Sequence, residues 1–332
     1  MNQALTCRRT LVLAALAAAM PRISSAQGAS GGSDSFPSRP VRWVVPTPPG
    51  SLPDVYSRQL AQKLGDEWRQ SVVVENRPGA AEKIGMDSVV ASPADGYTMM
   101  LGAFGMVTLP HMAKLAYDPL SEFTAVTKIS EGPLLLVVSS TSPFNSLKDL
   151  VDYTKANPGK LSAASAGVGN ILHLAMAMLG QAADFQFTHV PYSTSASQRV
   201  TDLMAGQVNT MFNPVGATLP FLKSGGMRVL AVTSQSRLAA LPDVPTFREL
   251  GYPAVEVVGW LGVFVRSGTP PEIVQKMNGA LVKALRMPDI RQPIVDAGGI
   301  VGGDTPQQFS AFVKSESAKW GKVIAAAGIR LE

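Results

Sequence analysis

The chain is 332 residues long, with 29 basic and 24 acidic side chains and a formal net charge of +5. Three of the bases, Arg8, Arg9 and Arg22, fall in an acid-free leading segment; without them 26 bases face 24 acids, too even a balance for the electrostatic footprint of a nucleic-acid binder. The single cysteine, Cys7, lies in the same segment, which excludes disulfides, thiolate catalysis and cysteine metal sites from the rest of the chain.

That leading segment has the layout of a secretory signal peptide. Arg8-Arg9 precede the apolar run Leu11 to Met20, and the small residues Ser24-Ser25-Ala26 offer cleavage before Gln27. Ten apolar residues are too few to span a bilayer as a helix. The expectation is a signal peptide over 1–26 and export to the periplasm, by the general route or, given the arginine pair, the twin-arginine one. A retained anchor is the alternative. Residues 27–35, rich in Gly and Ser, read as a flexible tether.

The fold begins at Val41 to Val45, a buried strand halted by the prolines and glycine of Thr47-Pro48-Pro49-Gly50-Ser51-Leu52-Pro53. A helix follows from Asp54, with Tyr56, Leu60, Leu64 and Trp68 on one face. The intervening loop is either a plain tight turn or an anion site, since free N–H groups and the positive end of the helix dipole meet there. Strands over Ser71 to Glu75 and Tyr97 to Leu101, with a short helix over Gly85 to Ala91, complete a βαβαβ rhythm that predicts a parallel sheet.

Two β runs follow, Phe123 to Ile129 and Leu134 to Ser139, separated by the breakers Glu131-Gly132-Pro133, where the chain is expected to leave one domain for another. Ser146-Leu147-Lys148-Asp149 is a capping box opening a helix that stops at Asn157-Pro158-Gly159. A strand over Leu161 to Ala164 then enters a glycine loop, Gly167-Val168-Gly169, with Asn170 as N-cap of a deeply buried helix over Ile171 to Leu179. This repeats the strand, loop and helix start of the opening segment. Strands at Thr188–Tyr192, Thr210–Phe212, Met227–Thr233 and Trp260–Val265, a helix over Ala196 to Ala205, and terminal helices over Pro270–Leu285 and Pro306–Ala327 complete the pattern. The expected architecture is α/β, with domain 1 formed by 36–132 plus 259–332 and domain 2 by 133–258.

Catalytic patterns are missing. His111, His173 and His189 are far apart with no metal-site spacing, and no Gly-x-Ser-x-Gly, Walker or His-Glu-x-x-His motif occurs. Gly167-Val168-Gly169 lacks the third glycine of a dinucleotide fingerprint, with Leu172 in its place. Asp54, Glu75, Glu82 and Asp87 have ordinary helix-start, turn or surface explanations. Two strand–loop–helix anion sites facing each other across a hinge suffice to pinch a small acid, so a binding protein is the leading reading. An exported hydrolase and a ligand-presenting sensor are the alternatives.

The text Phe36-Pro37-Ser38-Arg39-Pro40-Val41-Arg42, Val74-Glu75-Asn76-Arg77-Pro78-Gly79-Ala80, Pro93-Ala94-Asp95-Gly96-Tyr97-Thr98, His189-Val190-Pro191-Tyr192 and Leu241-Pro242-Asp243-Val244-Pro245-Thr246 resembles the extracytoplasmic receptors of tripartite tricarboxylate transporters, the Bug family, over essentially the whole mature chain. The resemblance implies a two-domain periplasmic-binding-protein fold of the Venus-flytrap, type II kind. It also implies a carboxylate ligand held by backbone groups and waters, and delivery to integral-membrane permease subunits by a monomer without cofactor or metal. Together the pattern and the resemblance nominate Pro48, Pro49, Gly50, Ser51, Asp54, Ala103, Phe104, Gly167, Val168, Gly169, Asn170, His173, Tyr192 and Asn213 as ligand-binding residues.

The departures from the family pattern fall mainly at the pocket. Gly50-Ser51-Leu52-Pro53-Asp54 stands where Gly-Gly-Pro-Thr-Asp is usual, and Pro53 removes a backbone donor. Gly79-Ala80-Ala81-Glu82-Lys83-Ile84-Gly85 replaces Gly-Ala-Gly-Gly-Asn-Ile-Gly, and Ser193-Thr194 replace a basic residue and glycine. Phe212-Asn213-Pro214 replaces Phe-Asp-Asn, removing a carboxylate that could meet a ligand ammonium. An acid without an amine is therefore the expected ligand. Phe104 and Met106 either add an apolar wall for an aromatic or branched acid or are ordinary packing.

Overall fold

The computed structural model describes residues 36–192 and 195–331; the expected signal peptide and tether, and Ser193-Thr194, lie outside the described residues. Two sheets organise the chain. The first has the order β2(Val72–Asn76), β1(Val41–Val45), β3(Thr98–Gly102), β9(Val258–Arg266), β4(Phe123–Ser139), with the short β10(Ile300–Val301) also on β4. The second is formed by β4, β7(Thr210–Pro214), β5(Ser162–Ser165) and β6(Thr188–Pro191), with β8(Met227–Val232) also on β4. The expected parallel βαβ units are present: β1 pairs in parallel with β2 and β3, and β5 with β6 and β7. The remaining pairings, all through β4 or β9, are antiparallel.

The break expected at Glu131-Gly132-Pro133 does not occur. β4 runs unbroken for 17 residues and belongs to both sheets, pairing with β9 from Phe123 to Pro133 and with β7 and β8 from Leu134 to Ser139. A proline is tolerated because Pro133, opposite Val258, is the last residue of the β9 ladder, where a missing donor costs least. Register shifts at Ala125/Thr127 and Lys128/Ser130 bend the strand before the hand-over. At the hand-over, the Leu134 N–H donates to Thr233 Oγ1 (2.8 Å), and that hydroxyl donates to the Val257 carbonyl (2.5 Å). A buried polar side chain thus completes a ladder that the change of partner would leave open.

The helices cover the sheet faces. α1(Leu52–Trp68) buries Tyr56, Leu60 and Leu64 as its four-residue spacing predicts, with Trp68 half-buried. α2(Lys83–Val90) and α5(Leu147–Ala156) also fall near their expected positions, the latter with both arms of its capping box formed. α6(Ile171–Ala183) buries every residue from Leu172 to Gly180, as its all-round apolar character requires. α7(Ala196–Met204) and α9(Pro271–Leu285) follow the sequence pattern. α11(Pro306–Ala327) packs on α6 and on α3(Phe104–Met112).

Four helices were not expected: α3, the one-turn α4(Pro119–Glu122), α8(Val215–Lys223) and α10(Pro288–Asp296). Three of them are interrupted by prolines, Pro110, Pro220 and Pro293, which in sequence count as breakers. Packing against a sheet holds these short segments helical regardless. Among the described residues, no helix is long and apolar enough to cross a membrane.

Candidate functional site

The loop between β1 and α1 is built around Asp54. Its carboxylate is 2% exposed and accepts hydrogen bonds from the Gly50 N–H (2.8 Å), Asn76 Nδ2 (2.8 Å) and Arg58 Nε (3.0 Å). Asn76 also donates to the Thr47 carbonyl (3.0 Å), and Ser51 Oγ to that of Pro48 (2.7 Å). Gly50 has φ +77°, the left-handed conformation that suits glycine. Burial pushes the Asp54 carboxyl up, but the hydrogen bonds from Arg58, Gly50 and Asn76 and the Arg58 charge outweigh it, so it lies below the usual carboxylate range. Asp54 therefore shapes the turn that presents Leu52 and Pro53.

These two residues open onto a cavity of about 340 Å³. Four helix starts meet at its wall: Leu52-Pro53 of α1, Ala103-Phe104 at α3, Ile171 of α6 and Pro214-Val215 at α8. The crossing strands supply Ser130 to Leu134 and Gly259 to Leu261, and the end of α10 supplies Ala297 to Gly299. The wall is mostly apolar. Among the described residues its one charged member is Glu131, paired with Lys128 at 2.7 Å.

Of the nominated residues, Ala103 and Phe104 line this cavity. Pro48 to Ser51 form the turn before Leu52, Gly167 to Asn170 lead into Ile171, and Asn213 precedes Pro214, so each group adjoins a lining residue. Asn170 caps α6, its Oδ1 accepting from the Leu172 N–H at 2.9 Å, and Val168 is exposed. Asn213 is fully buried between Arg199, which donates to its Oδ1 (3.3 Å), and Thr218, whose Oγ1 accepts from its Nδ2 (3.0 Å). Tyr192 donates its hydroxyl to Asp202 at 2.6 Å. Met106 is buried and does not line the cavity; Phe104 does, with its ring edge-on to Trp320 at 4.9 Å.

Two of the histidines that lie far apart in sequence are brought together by the fold. His173 and His189 stack at 3.7 Å with ring planes 5° apart. His173 Nδ1 accepts from the Gly169 N–H (3.2 Å), and His189 Nε2 lies 2.6 Å from Ser165 Oγ. Burial, reinforced by the neighbouring His189, depresses His173 to about 4, and burial lowers His189. The pair fixes the Ser165–Gly169 loop from behind in neutral form. Among the described residues there is no group of three or more His, Cys, Asp or Glu that could hold a metal ion.

One residue at the site was read from sequence only as an ordinary acid. Glu82 reaches from the segment before α2 to the start of α3, where its Oε2 accepts from the Ala103 N–H (3.2 Å) and its Oε1 from the Gly105 N–H (3.1 Å). Ala80, Ala81 and Glu82 all have positive φ, 48°, 50° and 77°. This is a strained run for residues with a Cβ. Gly105 permits the approach, since a Cβ there would stand 2.6 Å from the Ala81 carbonyl oxygen and 2.8 Å from Glu82 Cδ. Burial pushes the Glu82 carboxyl up to about 7 against the pull of the Gly105, Ala103 and Met106 N–H groups. The available signal was the replacement of an expected Gly-Gly by Ala81-Glu82.

Residues 56–329 match the tripartite tricarboxylate transporter family receptor. The UPF0065 protein in the tcbD-tcbE intergenic region of Pseudomonas sp. (strain P51) is 38% identical over 318 residues, covering 95% of this chain and 94% of its own. Among solved structures, that of R. palustris Rpa4515 with adipate is similar at a TM-score of 0.77 and 33% identity, over 89% of this chain and 99% of that one. The periplasmic binding protein BugD is similar at a TM-score of 0.75 and 32% identity, over 90% and 100%. The two sheets joined through β4, with a cavity where they meet, are the two-domain periplasmic-binding-protein fold of these neighbours. The chain belongs to the tripartite tricarboxylate transporter receptor family, the Bug-type solute-binding receptors.

Proposed function

We propose that the chain captures a small carboxylic acid in the cavity beside Leu52, Phe104, Ile171 and Val215 and delivers it, as a monomer, to integral-membrane permease subunits. The observation that carries this reading is the meeting of four helix starts at one cavity. The α1 and α8 starts carry no side-chain cap and so present free N–H groups and partial positive charge that favour an anion, while Asn170 and Glu82 take up donors at the α6 and α3 starts. The adipate held by the R. palustris neighbour supports an acid as the ligand class. We take the lobes to be 36–132 plus 259–332 and 133–258, with closure about the β4 and β9 crossing strands bringing the helix starts together. Export to the periplasm follows from the leader.

Asn213, where a carboxylate is usual, supports an acid without an amine. Native mass spectrometry of the freshly purified protein identifies any retained acid, and a thermal-shift series compares amine-free acids with aspartate and glutamate. A ligand at a hundred times its Kd stabilises by about 2.7 kcal/mol, a readily measured rise. The amine-free acids are expected to raise the melting point; a rise with aspartate or glutamate alone refutes the reading. Loss of uptake of the retained acid when either the receptor or the permease subunits are deleted tests delivery.

A further inference from the structure

We propose that Glu82 is a built-in carboxylate occupying the α3 start of the cavity, so that this receptor prefers acids with one carboxylate and an apolar body to dicarboxylates. The inference rests on the solute-receptor reading and narrows its ligand class.

Of the four helix starts at the cavity, only α3 is capped by a carboxylate from a distant segment. Its own N-cap residue, Ala103, has no side chain to offer, and the Ala103 and Gly105 N–H groups both donate to Glu82. Those donors cannot also receive a ligand oxygen. The α1 and α8 starts, by contrast, carry no side-chain cap from Ser51 or Pro214. A second ligand carboxylate reaching the Phe104 side would thus find its donors taken and a like group in their place.

Among the described residues no cationic side chain lines the cavity, and the charged lining residue is the acid Glu131. The apolar part of the lining includes Trp260, Leu261 and Ile171 beside Phe104 itself, a surface suited to a hydrocarbon body. The arrangement is also built rather than incidental. Three successive non-glycine residues hold left-handed backbone to aim Glu82, and Gly105 leaves room for its carboxylate.

The test is calorimetric titration of the mature chain with hexanoate and adipate, which share a six-carbon body and differ in the second carboxylate. The wild-type protein is expected to bind hexanoate about tenfold more tightly than adipate, equivalent to about 1.4 kcal/mol. Glu82→Gly, which relaxes the backbone and frees the α3 donors, is expected to move the preference toward adipate by about tenfold. Circular dichroism checks its fold, and if it does not fold the wild-type preference alone decides. A wild-type preference for adipate, or a folded Glu82→Gly variant with an unchanged ratio, overturns the inference and leaves the receptor reading standing. Binding of neither acid by wild type or variant overturns both.

Discussion

Replacing Asp54 with alanine tests whether the loop that presents Leu52 and Pro53 is held by its carboxylate. Three donors lose their acceptor: the Gly50 N–H, Asn76 Nδ2 and Arg58 Nε. A hydrogen bond to a charged group contributes about 1.5–3 kcal/mol. The Arg58 side chain is 51% exposed, so its pairing adds less than about 1 kcal/mol. Asn76 Nδ2 keeps its bond to the Thr47 carbonyl, which softens that loss. The net expectation is destabilisation by about 3 kcal/mol, seen in urea unfolding, and a melting point lower by roughly 4–6 °C for a chain of this size. The contribution also has a pH signature. Because the folded pKa is depressed, it is present above the ordinary aspartate value and lost as pH falls through the folded one. The stability gap between Asp54→Ala and wild type should therefore narrow in strong acid. A variant within about 0.5 kcal/mol of wild type at neutral pH would refute the assignment of Asp54 as the organiser of the loop.

Glu82 and His173 should pull stability in opposite directions between about pH 4.5 and 7. The raised Glu82 adds stability that is complete below its unfolded pKa and is lost as pH rises through about 7, whereas the depressed His173 adds stability that is complete above 6.5 and is lost as pH falls toward about 4. Each shift corresponds to roughly 3 kcal/mol. Urea unfolding across this range should show Glu82→Gln losing stability faster than wild type on acidification and His173→Asn losing it more slowly; parallel profiles would contradict both assignments. Gly105→Ala should destabilise by about 1–3 kcal/mol, although alanine normally gains about 1 kcal/mol over glycine in a helix, because the new Cβ meets the Ala81 carbonyl; a stabilised variant in the same assay rules out the close approach. Thr233→Val leaves the Leu134 N–H without its acceptor at the strand hand-over and should cost about 2 kcal/mol, with an unchanged denaturation midpoint as the contrary result.

Much of the fold was legible in the residues because its determinants are local. Alternating or continuous apolar runs marked the strands, four-residue spacing marked α1, and Ser146 with Asp149 marked the start of α5. Glycine and proline placed the loops at the ends of β1 and β5, and the order of elements predicted the parallel pairings of both sheets. The same local logic failed where packing overrode propensity. Pro133 sits inside a continuous strand, and Pro110, Pro220 and Pro293 inside helices.

The site was legible only to within a residue or two. The sequence could nominate loops before helix starts, since an N-terminus with free N–H groups is a property of a short stretch. It thereby named Pro48 to Ser51, Gly167 to Asn170 and Asn213, the immediate neighbours of the residues that line the cavity. Which atoms face the cavity is a question of how four separate helix starts are brought together, and that depends on strand order and on the shared strand β4. The inward turn of Asp54 depends on Asn76, 22 positions away. The stacking of His173 on His189 depends on α6 lying against the sheet that carries β6. Glu82, which read as an ordinary turn acid, finds its partners 21 and 23 positions onward. The sequence by itself therefore determined most of the elements, the loops before the helix starts and the family, because these rest on neighbouring residues. Only the tertiary structure decided which helix start is already filled, because a carboxylate selects its N–H partners by distance in space.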